Sequence, residues 1–466
     1  MHRSRMTIAG ATLATMALTI TSVGVIADSH ETPGVPETPT GYAELDQALA
    51  GDFSGTTVTM QTQWTAGEGD NFAANIVPFM DATGIKVNVA EVPSGQHETL
   101  VNVSLNGGAA SDILQLAQPA VINQYGEDGL IVDLSSVMNM ELLESQQPAL
   151  NTFQTENGTW AIPYKFDVKS TVWYPIKSFE AAGYEVPTTW DELIALSDQI
   201  VADGDNPWCV AIEDGPATGW LATDWVEDVL LRTAGIDVYK AWYQGEHPFD
   251  SPEVREALDY VAQIFFTEDY VWGGVGNIVG TNLRQAMDPM WGAALDSLED
   301  PECWMHKQAT WYGPDFFPDR KATGEESAFI VGEDVGYFYL PPIKEEFGTP
   351  VLSAGDGLMV TEDRPEVRAL AQWLALPEGM ELWVSSGRAI SPNSATPAEW
   401  VEGNYKGETA AAMIGNSTAL GFDGGDLMPG PVGAGSFWTG MVDWITAEGS
   451  NTDDVLAAID ASWPAE

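Results

Sequence analysis

Between Thr57 and Leu116 the apolar residues switch repeatedly between two spacings, and this rhythm restricts the fold more than any other feature of the chain. In "GTTVTMQTQW", Val58 and Met60 alternate with polar residues, the period-two pattern of a strand with one buried face. "NFAANIVPFMDATG" follows with helical spacing and stops at Gly84, a residue suited to a left-handed C-cap. "IKVNVAEV" reads as a second strand, "HETLVNVSLNGG" as a helix closed by Gly107–Gly108, and "DILQL" as a third, buried strand. Strands alternating with helices predict an α/β fold around a parallel sheet.

The rhythm breaks at "WAIPYKFDVKSTVWYP" (160–175), a long β-rich run interrupted by Pro163 that reads as chain passing between two lobes. Two lobes are the default for 466 residues of which 44% are hydrophobic, more than one core usually holds. In "PTTWDELIALSDQI", Thr189 is placed to cap a helix and Glu192 to reach back, a capping box. "SPEVREALDYVAQIF" repeats the signal with Ser251 as cap and Pro252 in the first turn. "GYFYLPPI" and "PVLSAGDGLMV" return to strand, and "RPEVRALAQWLAL" and "TDDVLAAIDASW" to helix.

The N-terminus reads as an export signal. Arg3 and Arg5 precede an uncharged stretch, and "VIA" ending at Ala27 fits a small-residue cleavage site. The alternative is an uncleaved anchor, although the stretch is rich in Thr, Ser, Ala and Gly and only weakly apolar. No cysteine lies nearby, which speaks against lipidation. Residues 28–51, beginning "DSHETPGVPETPTG", read as a flexible leader. Cys209 and Cys303 are the only cysteines, and in an exported chain they suggest one disulfide closing a loop of about 95 residues; two buried thiols are the alternative.

A formal charge of −51, from 69 acids against 18 Lys and Arg, repels nucleic acid and anionic lipid, so neither is expected as a partner. Such a surface also repels itself, which points to a saline habitat where counterions screen it; an ordinary acidic secreted protein is the alternative. Most catalytic signatures are missing. The five histidines form no metal-binding spacing, no serine lies in G-x-S-x-G, and no phosphate-binding G-x-x-x-x-G-K-[ST] occurs. "GGVGNIVG" (273–280) lacks the third glycine and the preceding strand of a dinucleotide loop, and "DGDNP" and "FDGGD" fit no calcium loop. No metal or cofactor is expected. Among 69 acids some carboxylate pair always qualifies for glycoside hydrolysis, so that chemistry stays open, with no motif framing any acid.

The aromatic content is the positive clue. Sugars offer flat C–H faces that stack on indole rings, while their hydroxyls take carboxylates and amides. The chain has 18 tryptophans, and Trp64, Trp173, Trp220, Trp291, Trp311, Trp383 and Trp438 all sit beside Gly, Pro, Asp, Gln or Ser, although core packing suits each of them taken alone.

At "PTTWDEL", after the hinge-like "WAIPY", the sequence resembles the family 1 extracellular solute-binding proteins of carbohydrate ABC transporters, from about residue 52 to the C-terminus. "TGIKV", "GEDGLIVDL", "VLSAGDG" and "SFWTGMVDWI" fall in the family's order, and "TGWLATDWVEDVLLR" with "CWMHKQA" and "FDGGDLMPGPVGAGSFW" is more similar to its α-glucoside-binding branch. The resemblance implies a type II, two-lobed Venus-flytrap periplasmic binding protein, each lobe a mostly parallel sheet flanked by helices. Lobe one would be 52–163 with 333–362, and lobe two 164–332 with 363–466, behind a signal peptide at 1–27. Ligand contacts are implied at Trp64, Glu68, Gln118, Asp167, Trp220, Asp224, Trp311 and Trp438. Asp356 and Arg388 are added as polar groups on glycine-flanked turns read as exposed. Trp225 is expected to point into the core. Val442 stands where maltose binders of the family carry an arginine, which argues against maltose itself.

The expected function is capture of a neutral oligosaccharide, foremost an α-glucoside, by a monomeric periplasmic protein without catalysis that docks on a membrane permease. The alternatives are a secreted glycoside hydrolase and a polyol, amino-acid or compatible-solute binder on the same scaffold.

Overall fold

The computed structural model describes residues 32–292, 298–313, 317 and 329–465; the expected signal peptide and residues 28–31 of the leader lie outside the described residues. β1 (Thr57–Thr62) forms on the predicted alternation, with Val58 and Met60 fully buried. It pairs in parallel with β2 (Lys86–Glu91) on one side and β3 (Ile113–Leu116) on the other. The intervening helices are Gly67–Asn75 and Val77–Thr83, the latter ending at Gly84 in the left-handed conformation, and Ser94–Asn106. β4 (Gln154–Thr155) and β5 (Gly158–Thr159) form a small separate hairpin. The remaining strands are β6 (Ile162–Val168), β7 (Thr171–Pro175), β8 (Asn206–Trp208), β9 (Cys303–Lys307), β10 (Val335–Tyr339), β11 (Val351–Val360) and β12 (Leu420–Phe422).

The first sheet runs β12-β11-β3-β1-β2, with β6 also on β11. β11 is parallel to β12 and antiparallel to β3 and β6. β3 lies between β1 and β11, which is why all four of its residues are buried. The second sheet runs β10-β7-β9-β8. Only β8 and β9 are parallel; β7 is antiparallel to both its neighbours. This corrects the expectation of a mostly parallel sheet in the second half. The chain first enters that half on β7 and passes back to the first sheet after β10, and these two strands lie side by side and run in opposite directions; after β12 it returns, with Met428, Phe437 and Trp444 in the core of Trp208.

The run 160–175 passes between sheets as expected. β6 belongs to the first sheet, β7 to the second, and only Lys169 and Ser170 separate them. Ser170 is fixed there: its Oγ donates to Asp228 Oδ1 at 2.7 Å and accepts from the Leu352 amide at 2.8 Å. Beside it the fully buried Arg232 pairs with Asp228 and donates to the Leu340 carbonyl at 2.9 Å and the Pro341 carbonyl at 3.1 Å. The two crossings between sheets are thus tied to one buried ion pair.

Three segments depart from the expected division. β10 joins the second sheet although 333–362 was assigned to lobe one, and β12 joins the first although 363–466 was assigned to lobe two. The helix Pro365–Ala375 buries Leu370, Trp373 and Leu374 in the same core as Val58 and Met60. It starts directly after β11, so the first sheet is the nearest apolar surface it meets. The leader is ordered from Pro33 onward, against expectation. Tyr42, Leu45 and Ala48 on and before the helix Ala43–Leu49 enter the same core, the Leu45 amide donates to Gln372 Oε1 at 3.0 Å, and Trp373 Nε1 donates to the Gly34 carbonyl at 2.8 Å. Its polar composition concealed three residues at helical spacing.

Cys209 and Cys303 form the disulfide, with Cα atoms 5.4 Å apart, stitching the end of β8 to the start of β9. Thr189 caps the helix Trp190–Asp203 by accepting from the Glu192 amide at 3.2 Å, while Glu192 reaches one residue further back than a capping box requires, to the Thr188 amide at 2.8 Å. Ser251 caps Pro252–Phe265 as predicted.

Candidate functional site

In "KFDVK" residues 165, 167 and 169 alternate along the crossing run, so their side chains leave the same face of the strand. That face is the floor of a crevice of about 1010 Å³ between the two sheet-centred halves, and Lys165, Asp167 and Lys169 all line it. Each lysine collects its own set of acids. Lys165 Nζ lies 2.5 Å from Glu68 Oε1 and 3.7 Å from Asp167 Oδ2, with Asp356 close by. Lys169 Nζ lies 2.8 Å from Asp224 Oδ1, pairs also with Asp423, and has Asp426 nearby. The two ammonium groups therefore stand four residues apart on one run of chain, each facing three carboxyl groups.

Burial and charge act in opposite directions here. Burial alone would lower both lysines, but the surrounding carboxylates outweigh it and hold both above the usual lysine range. The acids feel the reverse. Burial, reinforced by Asp423 and opposed by Lys169, pushes Asp224 up to about 7. Burial likewise pushes Asp356 up to about 7, with Asp167 and Glu68 adding to it and Lys165 opposing. Asp426 is raised well above the carboxylate range, by burial first and then Asp423. Near neutral pH the walls thus offer both O–H donors and carboxylate acceptors, a mixture suited to hydroxyl groups, which do both.

The aromatic walls come from several elements. The helix Trp220–Tyr243 starts with Trp220, whose ring is partly exposed, with Asp224 one turn further along the same face; both line the crevice. Trp220 and Trp311 have ring centroids 6.1 Å apart at 46°, and Trp220 Nε1 donates to Asp214 Oδ2 at 3.2 Å. Trp438 opens the helix Trp438–Thr446, and its carbonyl lies 2.2 Å from where a Cβ on Gly219 would stand. Gly219, at φ 120°, is thus obligatory for seating Trp220 beside Trp438. Trp225 points away into the core, edge-on to Trp208 at 5.4 Å, as expected.

Of the ten residues expected at a ligand site, nine line this crevice: Trp64, Glu68, Gln118, Asp167, Trp220, Asp224, Trp311, Asp356 and Trp438. Trp64 differs from an open plate. It is only 1% exposed, packs among Phe72, Tyr164 and Trp383, and donates from Nε1 to Asp356 Oδ2 at 3.2 Å. Asp356 is not on an exposed turn but buried within β11, beside the bulge between Gly355 and Gly357. Arg388 is the miss. It follows the helix Glu381–Ser385 on the first half, its carbonyl accepts from Lys406 Nζ at 3.2 Å, and it is outside the crevice lining. A glycine-flanked turn indicates where chain reverses, not which way it faces.

Sequence reasoning overlooked Lys165, Lys169, Asp214, Arg284, Asp423 and Asp426, all in the lining. Lysines were scarce enough to be a signal: two of the chain's 18 basic residues sit on one face of an otherwise buried strand run. The glycines of "FDGGDLMPGPVGAG" carried another. A Cβ at Gly433 would stand 1.9 Å from the Gly425 carbonyl, so they exist to pack the Asp423–Asp426 turn tightly against the next segment.

Residues 64–381 match the family model described as bacterial extracellular solute-binding protein. Among curated proteins, the alpha-glucosides-binding periplasmic protein AglE of Rhizobium meliloti is 35% identical over 91% of this chain and 90% of its own length. The osmoprotective compounds-binding protein GgtB of Synechocystis is 34% identical over 84% of this chain and 88% of its own. Among solved structures, a chitin oligosaccharide binding protein superposes with a TM-score of 0.72 at 15% identity, covering 88% of this chain and 99% of that one. At that identity the likeness speaks for the fold: the two-lobed architecture with a crevice between sheet-centred halves.

Proposed function

The chain belongs to the bacterial extracellular solute-binding protein family, and from that premise we propose that it is the carbohydrate-capturing component of an ABC importer. Its ligand is a neutral oligosaccharide, foremost an α-glucoside, held between the halves and handed to membrane permease subunits. The observation that carries this reading is the composition of the crevice: eight carboxyl groups, three cations and four indoles converge in one space. Stacking faces with in-plane acceptors and donors suit a polyhydroxyl ring. The surplus of acid disfavours sugar acids and sugar phosphates.

The lining residues are assigned as ligand contacts, with Trp220, Trp311 and Trp438 as stacking rings and Trp64 as the support that orients Asp356. Grip follows from closure of the halves about the β6–β7 and β10–β11 crossings. The protein acts as a monomer in the periplasm, exported by a cleaved signal, and neither cuts its ligand nor binds nucleic acid. Among the described residues no helix is long and apolar enough to cross a membrane.

The relative named for osmoprotective compounds supports a second reading, a compatible-solute or polyol binder on the same scaffold. A thermal-shift panel in high salt separates them: di- and trisaccharides with α-linkages, free polyols and glycine betaine. A rise of the melting temperature with α-glucosides alone is expected. A response confined to polyols or betaine transfers the assignment to the second reading. Recovery of shortened sugar after incubation would mark the chain as a hydrolase.

A further inference from the structure

The two halves also touch outside the lysine-centred clusters, and one contact is unusually close. The helix Ser94–Asn106 belongs to the first half: Val101 and Leu105 pack with Leu114 and Leu116 of β3, and His97 Nε2 bonds the Gln115 carbonyl at 2.6 Å. Its first turn meets Asp214, which belongs to the second half through the strand-like residues before it, Val210 and Ile212, in the core with Trp208 and Trp225. Ser94 Oγ donates to Asp214 Oδ2 at 2.8 Å. A Cβ added to Gly95 would stand 2.1 Å from the Asp214 carbonyl oxygen and 3.0 Å from Oδ1. Asp214 is itself held from its own half: Arg284 Nη1 lies 3.8 Å from Oδ1, and its amide donates to Thr218 Oγ1 at 2.9 Å.

We infer that the Ser94–Gly95 turn and Asp214 form a latch that holds the two halves closed independently of any ligand, and that Asp214 is the positioning residue that joins this latch to Trp220. The carboxylate faces the first turn of a thirteen-residue helix, where unpaired amides favour negative charge. The same Oδ2 that accepts from Ser94 accepts from Trp220 Nε1 at 3.2 Å, so seating the indole and closing the gap share one atom. The glycine is the steric key: at this separation only a residue without a side chain lets the backbones meet. A latch of this kind sets the closed fraction, and apparent affinity scales with that fraction.

The inference rests on the two-lobed reading above but not on the identity of the sugar, and the test keeps them apart. Gly95→Ala and Ser94→Ala are compared with the unsubstituted chain by small-angle X-ray scattering without sugar, with circular dichroism to verify the fold. The unsubstituted chain and Gly95→Ala are then titrated with trehalose, maltose and sucrose. Gly95 is outside the crevice lining, so its substitution removes no ligand contact. The expected result for Gly95→Ala is a larger radius of gyration without sugar. For any probe that the unsubstituted chain binds, at least tenfold weaker affinity is expected, carried by faster dissociation. Ser94 lines the crevice, so Ser94→Ala is read from scattering alone, where the radius of gyration should move the same way by a smaller amount. A radius of gyration unchanged by Gly95→Ala overturns the latch, whatever the sugars do. Failure of all three sugars to bind the unsubstituted chain counts against the α-glucoside reading and leaves the scattering comparison to decide the latch.

Discussion

Replacing Asp356 by asparagine isolates the cost of burying an acid in the crevice wall. Asp356 is 6% exposed and takes one hydrogen bond from Gln115 Nε2 at 2.9 Å and one from Trp64 Nε1 at 3.2 Å. Burial lifts its pKa from 3.8 to about 7. An acid raised on folding binds more protons in the folded chain than in the unfolded one. Stability is therefore full below about pH 4 and falls as the pH climbs toward 7, levelling off above it. Between pH 5 and pH 8 the linkage integral amounts to about 2 to 3 kcal/mol lost. The amide of the variant cannot ionise, so urea denaturation of Asp356→Asn should show a shallower decline. The stability difference between the two proteins should move by about 2 kcal/mol in favour of the variant from pH 5 to pH 8. Because the other acids titrate in both proteins, subtraction removes them to first order. A difference that stays constant across that range would mean Asp356 is ionised throughout, and the claim that burial outweighs Lys165 would be wrong.

Trp220→Ala should weaken sugar binding by roughly 30-fold, about 2 kcal/mol of stacking and apolar contact, while the melting temperature without sugar stays near the parent value. Calorimetric titration checks it, and undiminished affinity removes Trp220 from the site. Arg232→Met leaves Asp228 buried against Lys307 with two carbonyls unserved, so a loss of about 3 to 5 kcal/mol is expected by chemical denaturation. A loss under about 1 kcal/mol would show that the ion pair is dispensable at the crossings. With −51 formal charges, the melting temperature should climb by several degrees from dilute buffer to molar NaCl, where screening shortens to about 3 Å. A flat response would remove the reason for a saline habitat.

What could be read from the sequence was whatever a local pattern encodes. Val58 and Met60 declare β1 by alternation, and Ser251 declares a helix start because the cap needs only its own neighbours. The crossing at 160–175 was visible as a break in rhythm, and eight of the expected residues converge because the resemblance carried positions along with motifs, while Asp356 joins them although the turn reading that proposed it was wrong about its exposure. Pairings set by distant chain were hidden. β10 looks like any Tyr-rich strand, and nothing local tells it to pair with β7 rather than β11. The helix Ala43–Leu49 looked like linker because Tyr42, Leu45 and Ala48 find their apolar partner more than three hundred residues away. Asp423 and Asp426 were dismissed as a poor calcium loop, since the ammonium that they serve stands on Lys169 in another segment.

The strand face bearing Lys165, Asp167 and Lys169 is at once the bed on which a guest would rest and the span of backbone joining one half to the other. A substitution there changes two properties together, the chemistry offered to the guest and the stiffness of the joint. Diversification toward new guests is therefore freer where these duties are separate, as at the start of the helix Trp220–Tyr243, which shapes a wall from within the second half. Relatives that prefer different solutes should keep charged residues at alternate positions in the crossing run and differ most at that helix start.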